Sequence, residues 1–121
     1  MKPTPSPATS KFTKASLPAV GCSYEKDRPI RDGFTFELAD YPGISLFVYK
    51  NDRINTYFIV EASSGLKCGT ECSEKTRSGA IQKQWEAFES MRNSPNGQGD
   101  PGHVKRMVDK CLKRLHEKAT A

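Results

Sequence analysis

The chain has 121 residues, room for one hydrophobic core of ordinary size and too few for two. Hydrophobic residues make up 36%, below the usual globular share, and no run approaches the roughly 18 consecutive apolar residues of a spanning helix, so no transmembrane helix is expected. The formal net charge of +5 is uneven: residues 1–32 carry 6 basic and 3 acidic side chains, 33–61 carry 2 and 4, 62–93 carry 5 and 4, and 94–121 carry 6 and 3. Basic ends around a near-neutral middle suit an anionic partner, and they equally serve solubility.

Residues 1–32 are rich in Pro, Ser, Thr and Lys and show neither a 2- nor a 3.6-residue apolar period. They predict a flexible basic tail and an irregular lead-in. The apolar block of a secretory signal is missing there, and the prolines spoil an amphipathic transit helix, so the expected compartment is cytoplasmic. In that setting Cys22, Cys68, Cys72 and Cys111 are expected to be thiols.

From residue 33 the pattern changes. "GFTFELA" alternates Phe34, Phe36 and Leu38 against Thr35, Glu37 and Ala39, the signature of a strand with one buried face. "DYPG" supplies a turn. "ISLFVYK" (44–50) and "INTYFIVE" (54–61) flank a short polar connection and predict a hairpin. A three-residue loop would set Ile44, Leu46 and Val48 on one face with Thr56, Phe58 and Val60, leaving Phe47, Tyr49, Tyr57 and Ile59 on the other. "SSG" then turns the chain, and Leu66 to Cys68 can add a short fourth strand.

Ser73 reads as an N-cap, followed by Glu74 at the positive end of a helix whose apolar arc is Ala80, Ile81, Trp85, Ala87, Phe88 and Met91. The Gly- and Pro-rich run "NSPNGQGDPG" ends it. A second helix starts on Asp100 as N-cap with Pro101 in its first turn, and carries Val104, Met107, Val108, Cys111, Leu112 and Leu115 as one stripe. The fold class expected is α+β: a β-meander over 33–68 of three strands, or four with the short one. Helices over 73–93 and 101–118 follow it, both packed on one sheet face, in a single domain spanning 33–121.

Little in this order points to chemistry. A structural zinc module would draw on Cys68, Cys72, Cys111 and His116, but Cys111 lies on the apolar stripe and His116 falls about 140° round the helix from it. A free cysteine behaves as a small hydrophobe, which makes Cys111 a core residue in expectation and leaves no metal site. A Cys72–His103 pair has no motif around it, "GQGDPG" does not follow a strand, and no Gly-Lys-Ser/Thr occurs. Neither an enzyme nor a cofactor is therefore expected.

Two surfaces carry the functional expectations. Arg106, Lys110, Lys113 and Arg114 occupy the arc of the second helix opposite its apolar stripe, with Glu117 among them and Lys105 and Lys118 at the edges; Lys105, Arg106, Lys110, Lys113 and Arg114 are the candidate nucleic-acid contacts, against the plainer reading of a solvated face. On the sheet face away from the helices, Phe47, Tyr49 and Tyr57 are the candidate protein interface, unless the lead-in around Val20, Tyr24 and Ile30 or a homodimer contact covers them.

The run "YFIVEASSGLKCGTECSEKTRSGAIQKQWEAF" resembles, in element order, the DNA-binding arms of tyrosine recombinases and AP2-type factors, whose sheet enters the major groove. The double-stranded-RNA-binding domain has a similar order of strands before a terminal helix. The basic strand residues of the arms and the first helix of the RNA-binding domain have no counterparts here, so no residue is carried over.

The expectation is thus a non-enzymatic small basic binding module contacting nucleic acid or a nucleoprotein complex. The alternative is a small inhibitor or adaptor of the anti-defence, anti-CRISPR-like kind that mobile elements carry, acting on a protein target through the aromatic face; a third reading is a structural zinc module.

Overall fold

The computed structural model describes residues 7–20, 29–52, 54–67 and 73–120. A five-stranded antiparallel sheet precedes two helices: β1 (Thr13–Pro18), β2 (Ile30–Phe36), β3 (Leu46–Asn51), β4 (Thr56–Glu61), β5 (Ser73–Glu74), α1 (Arg77–Arg92) and α2 (Pro101–Thr120). The strands lie in the sheet in chain order. The α+β class and the two C-terminal helices are therefore as the pattern requires.

The expected irregular lead-in is corrected at residues 13–18. "TKASLP" has little strand propensity of its own, yet β1 pairs with β2 from Thr13↔Thr35 to Pro18↔Ile30. What recruits it is the inner face it can cover: Ala15, Leu17 and Ala19 pack on a cluster of Phe47, Tyr49, Phe58 and Val60. The sheet curls to bring them there. Past the strand, the Val20 N–H donates to the Gly65 carbonyl at 2.9 Å, so the end of β1 meets the turn that follows β4 although β2 and β3 lie between. Gly65 is at φ +73°, and a Cβ on it would sit 2.2 Å from the Pro18 carbonyl oxygen, so only glycine permits this approach. The Tyr49 hydroxyl adds a hydrogen bond to the Val20 carbonyl at 2.7 Å.

The hairpin register also differs from expectation. β3 and β4 pair as Phe47↔Val60, Val48↔Ile59, Tyr49↔Phe58 and Asn51↔Thr56, which closes a four-residue loop in which Asn55 takes a left-handed φ of 52°. One extra loop residue exchanges the faces of β4. Phe58 and Val60 therefore join Phe47 and Tyr49, while Ile59 joins Leu46 and Val48 in the other cluster. Apolar residues occupy both faces of β4 and both are buried, so the alternation alone held no preference.

The second cluster lies on the helix side and takes in Phe36, Leu38, Tyr41 and Ile44 with Ala80, Ile81, Phe88, Val104 and Val108. Helix α1 packs on β4 and β5, and α2 packs chiefly on α1. The N-cap of α1 is Thr76, whose Oγ1 accepts from the Gly79 N–H at 3.0 Å. Ser73 and Glu74 instead extend the sheet through Phe58↔Ser73 and Tyr57↔Glu74, because the β4 edge offers them backbone partners that the first turn of a helix would not. Two side-chain ties hold the 39–43 turn to α1: the Tyr41 hydroxyl donates to the Glu89 carboxylate, and Trp85 Nε1–H donates to Asp40 at 3.0 Å.

Candidate nucleic-acid interface

Helix α2 is oriented by its first turns. Asp100 Oδ1 accepts from the Gly102 N–H at 2.9 Å, and Pro101 occupies the first helical position, where a missing N–H costs nothing. Arg106 donates to the other Asp100 oxygen at 2.9 Å, and that bond holds the carboxyl below its ordinary range. Val104 and Val108 are buried against the helix-side cluster. With those two pointing in, the 3.6-residue period turns Arg106, Lys110 and Lys113 outward, with Arg114 beside them.

All five cations singled out from the sequence are exposed, and they are not equivalent. Lys105 pairs with Asp109 at 3.8 Å, and Arg106 is tied to Asp100. Among the described residues, no carboxylate lies within ion-pairing distance of Lys110, Lys113 or Arg114. Glu117 is exposed on the same side, one turn beyond Lys113. Val108 is the last described side chain of α2 that is buried; Cys111 and Leu112 are half-buried and Lys113, Arg114 and Glu117 are exposed. Leu112 packs against the helix-side cluster, so α2 stays docked through that residue and the cations lie on its outward side.

Sequence reasoning missed Met107. It placed this residue in the buried stripe, but Met107 is 41% exposed. Met107, Lys110 and Arg114 follow i, i+3, i+7 spacing and so form one outer ridge. The clue was available in the sequence: Met107 is at the margin of the apolar arc, directly after Arg106.

The aromatic interface is corrected. Phe47 and Tyr49 are buried, as is Phe58, and the three rings stack with centroids 5.8 and 6.0 Å apart. Arg31 lies over Tyr49 at 5.3 Å and Lys67 over Phe58 at 5.7 Å. The lead-in does cover these rings, through Ala15, Leu17 and Ala19; Ile30 is 66% exposed, and Tyr24 lies outside the described residues. Tyr57 is half-buried on the helix side, across from Lys50 and Glu74. The three residues thus do not share a face, and two of them offer no surface.

Cys68 and Cys72 lie outside the described residues. Cys111 is a half-buried free thiol rather than the core residue expected. Among the described residues no three His, Cys, Asp or Glu side chains converge as a metal site, and no helix is long and apolar enough to cross a membrane. A cleft of about 190 Å³ between the N-terminal segment and α1 is lined by Pro7, Thr9, Phe12, Arg77, Ser78 and Ile81. Arg77 stacks over Phe12 at 4.7 Å beside it.

No family model matches the chain, and no curated protein or solved structure proves similar to it.

Proposed function

We propose that the protein is a small binding module without chemistry of its own, which contacts nucleic acid or a nucleoprotein complex through the outer face of α2. The observation that supports this reading is the group Lys110, Lys113 and Arg114: three adjacent exposed cations with no carboxylate partner among the described residues, on the outward side of the helix. Such a group neutralises phosphates and releases their counterions, so its affinity must fall with salt. Exposed ion pairs such as Lys105–Asp109 contribute little to stability and nothing to this charge.

The test is fluorescence anisotropy with generic DNA and RNA, single-stranded and duplex, at about 50 and 200 mM salt, the range over which phosphate contacts weaken measurably. Binding at micromolar protein that weakens with salt is expected. Absence of any salt-sensitive binding removes the proposal.

A further inference from the structure

We propose that the cleft between the N-terminal segment and α1 binds a small aromatic carboxylate, at a site separate from the cationic face of α2. Both walls are anchored. Ala39 N–H donates to the Ala8 carbonyl at 2.9 Å and Ser10 N–H to the Glu37 carbonyl at 2.8 Å, which pins Thr9 to the sheet opposite Leu38. Phe12 packs against Phe36 with ring centroids 5.3 Å apart and meets Phe34 edge-on at 6.4 Å. Across the gap, Ile81 is buried in the helix-side cluster, while Arg77 and Ser78 stand exposed in the first turn of α1. The walls are thus in place before a ligand arrives, and little ordering opposes binding.

Composition, charge and size together select the ligand class. Pro7, Phe12 and Ile81 line the cleft and call for an apolar body, and an aromatic one gains a ring contact with Phe12 that an aliphatic one lacks. Arg77 lies over Phe12 at 4.7 Å and over Phe34 at 5.8 Å. Stacking holds the guanidinium by its face and leaves the N–H fork at its edge, where it matches a carboxylate bidentately. Among the described residues that fork meets no carboxylate; Glu74, at the end of β5, is paired with Lys83 at 3.5 Å. The Ser78 hydroxyl lines the cleft beside Arg77 as a further donor. The volume of about 190 Å³ exceeds the roughly 150 Å³ that holds benzene by little more than one water's share of about 30 Å³. That is room for a ring bearing one carboxyl group. It falls short of the roughly 300–1,000 Å³ of larger ligand sites, so a whole nucleotide does not fit.

Three probes separate the contributions: benzoate carries ring and charge, benzamide the ring alone, and inorganic phosphate the charge alone. Proton–nitrogen NMR correlation spectra of the full chain are recorded as each is added. Benzoate is expected to shift the amides of Thr9, Phe12, Arg77, Ser78 and Ile81 with a Kd below about 1 mM. It should bind about tenfold tighter than either of the other probes, the discrimination that one charge-assisted hydrogen bond supplies. Arg77→Gln should lower benzoate affinity about tenfold or more for the same reason, and urea unfolding of the variant checks its fold, as Arg77 is exposed. Equal binding of benzamide overturns the role of Arg77, and equal binding of phosphate overturns the aromatic class. Both comparisons use the unsubstituted chain. Shifts confined to Lys110, Lys113 and Arg114, or none at the cleft by about 10 mM benzoate, ten times the expected Kd, remove the site and leave the nucleic-acid reading untouched.

Discussion

Replacing Gly65 with Ala tests the closure that buries the aromatic cluster. Two costs add. The residue sits at φ +73°, where a Cβ costs an L-residue about 1–2 kcal/mol. That Cβ would also lie 2.2 Å from the Pro18 carbonyl oxygen and 3.3 Å from the Ala19 Cα. Because the nearest atoms are backbone, the β1 end must retreat, and overpacking of this kind adds about 1–3 kcal/mol. The expected total is about 2–5 kcal/mol, a large fraction of the stability of a small domain.

Gly99 is the internal control. It has a similar φ of +80° but nothing within 4 Å of its added Cβ, so Gly99→Ala should cost only the backbone strain of about 1–2 kcal/mol. Urea unfolding of both variants, followed by circular dichroism, gives the difference directly. If the two losses agree within about 0.5 kcal/mol, the limit of such comparisons, the docking of β1 on the turn after β4 contributes nothing and the argument for closure fails.

Tyr41→Phe removes the hydroxyl that donates to Glu89 and should cost about 1.5–3 kcal/mol, the range for a hydrogen bond to a charged group. Burial, reinforced by Glu89, raises the Tyr41 pKa above its ordinary 10.0. The resulting stability is complete below pH 10 and lost as pH rises past it, so the alkaline fall in unfolding free energy should be steeper in the parent than in the variant. At Glu61, burial pushes the carboxyl pKa up, but hydrogen bonds from Ser63 and Ser64 outweigh it and leave the group below its ordinary 4.5. Glu61→Gln should therefore lower stability at pH 7 and flatten the decline seen as the parent is acidified below pH 4.5; an unchanged acid limb would show that the carboxylate is not held. Phe47→Ala should cost about 3–5 kcal/mol as a core truncation, whereas Lys110→Glu should stay within about 0.5 kcal/mol as a surface change. A harmless Phe47→Ala would return that ring to the surface.

The outer face of α2 was legible before the fold because each of its signals is local. Asp100 and Pro101 mark the helix start, Val104 and Val108 identify the inner side, and the cations opposite follow from the 3.6-residue period alone. The same locality made the inner arc of α1 readable at Ala80, Ile81 and Phe88, while Gln84, also buried there, carries no apolar signal. At Met107 periodicity assigns a direction, but exposure depends on which neighbours cover the side chain.

The sequence by itself determined the types of the main elements, their order and the polarity of the two helices, since propensity, capping and period reside in neighbouring residues. Only the tertiary structure decided that "TKASLP" is a strand, that Ser73 and Glu74 extend the sheet, and that Phe47 and Tyr49 are sealed inside. Those outcomes depend on backbone partners and covering side chains contributed by distant segments. The faces of β4 depend in turn on one loop residue at Asn55. Where both sides of a strand are apolar, burial cannot choose between registers, and the turn geometry chooses instead.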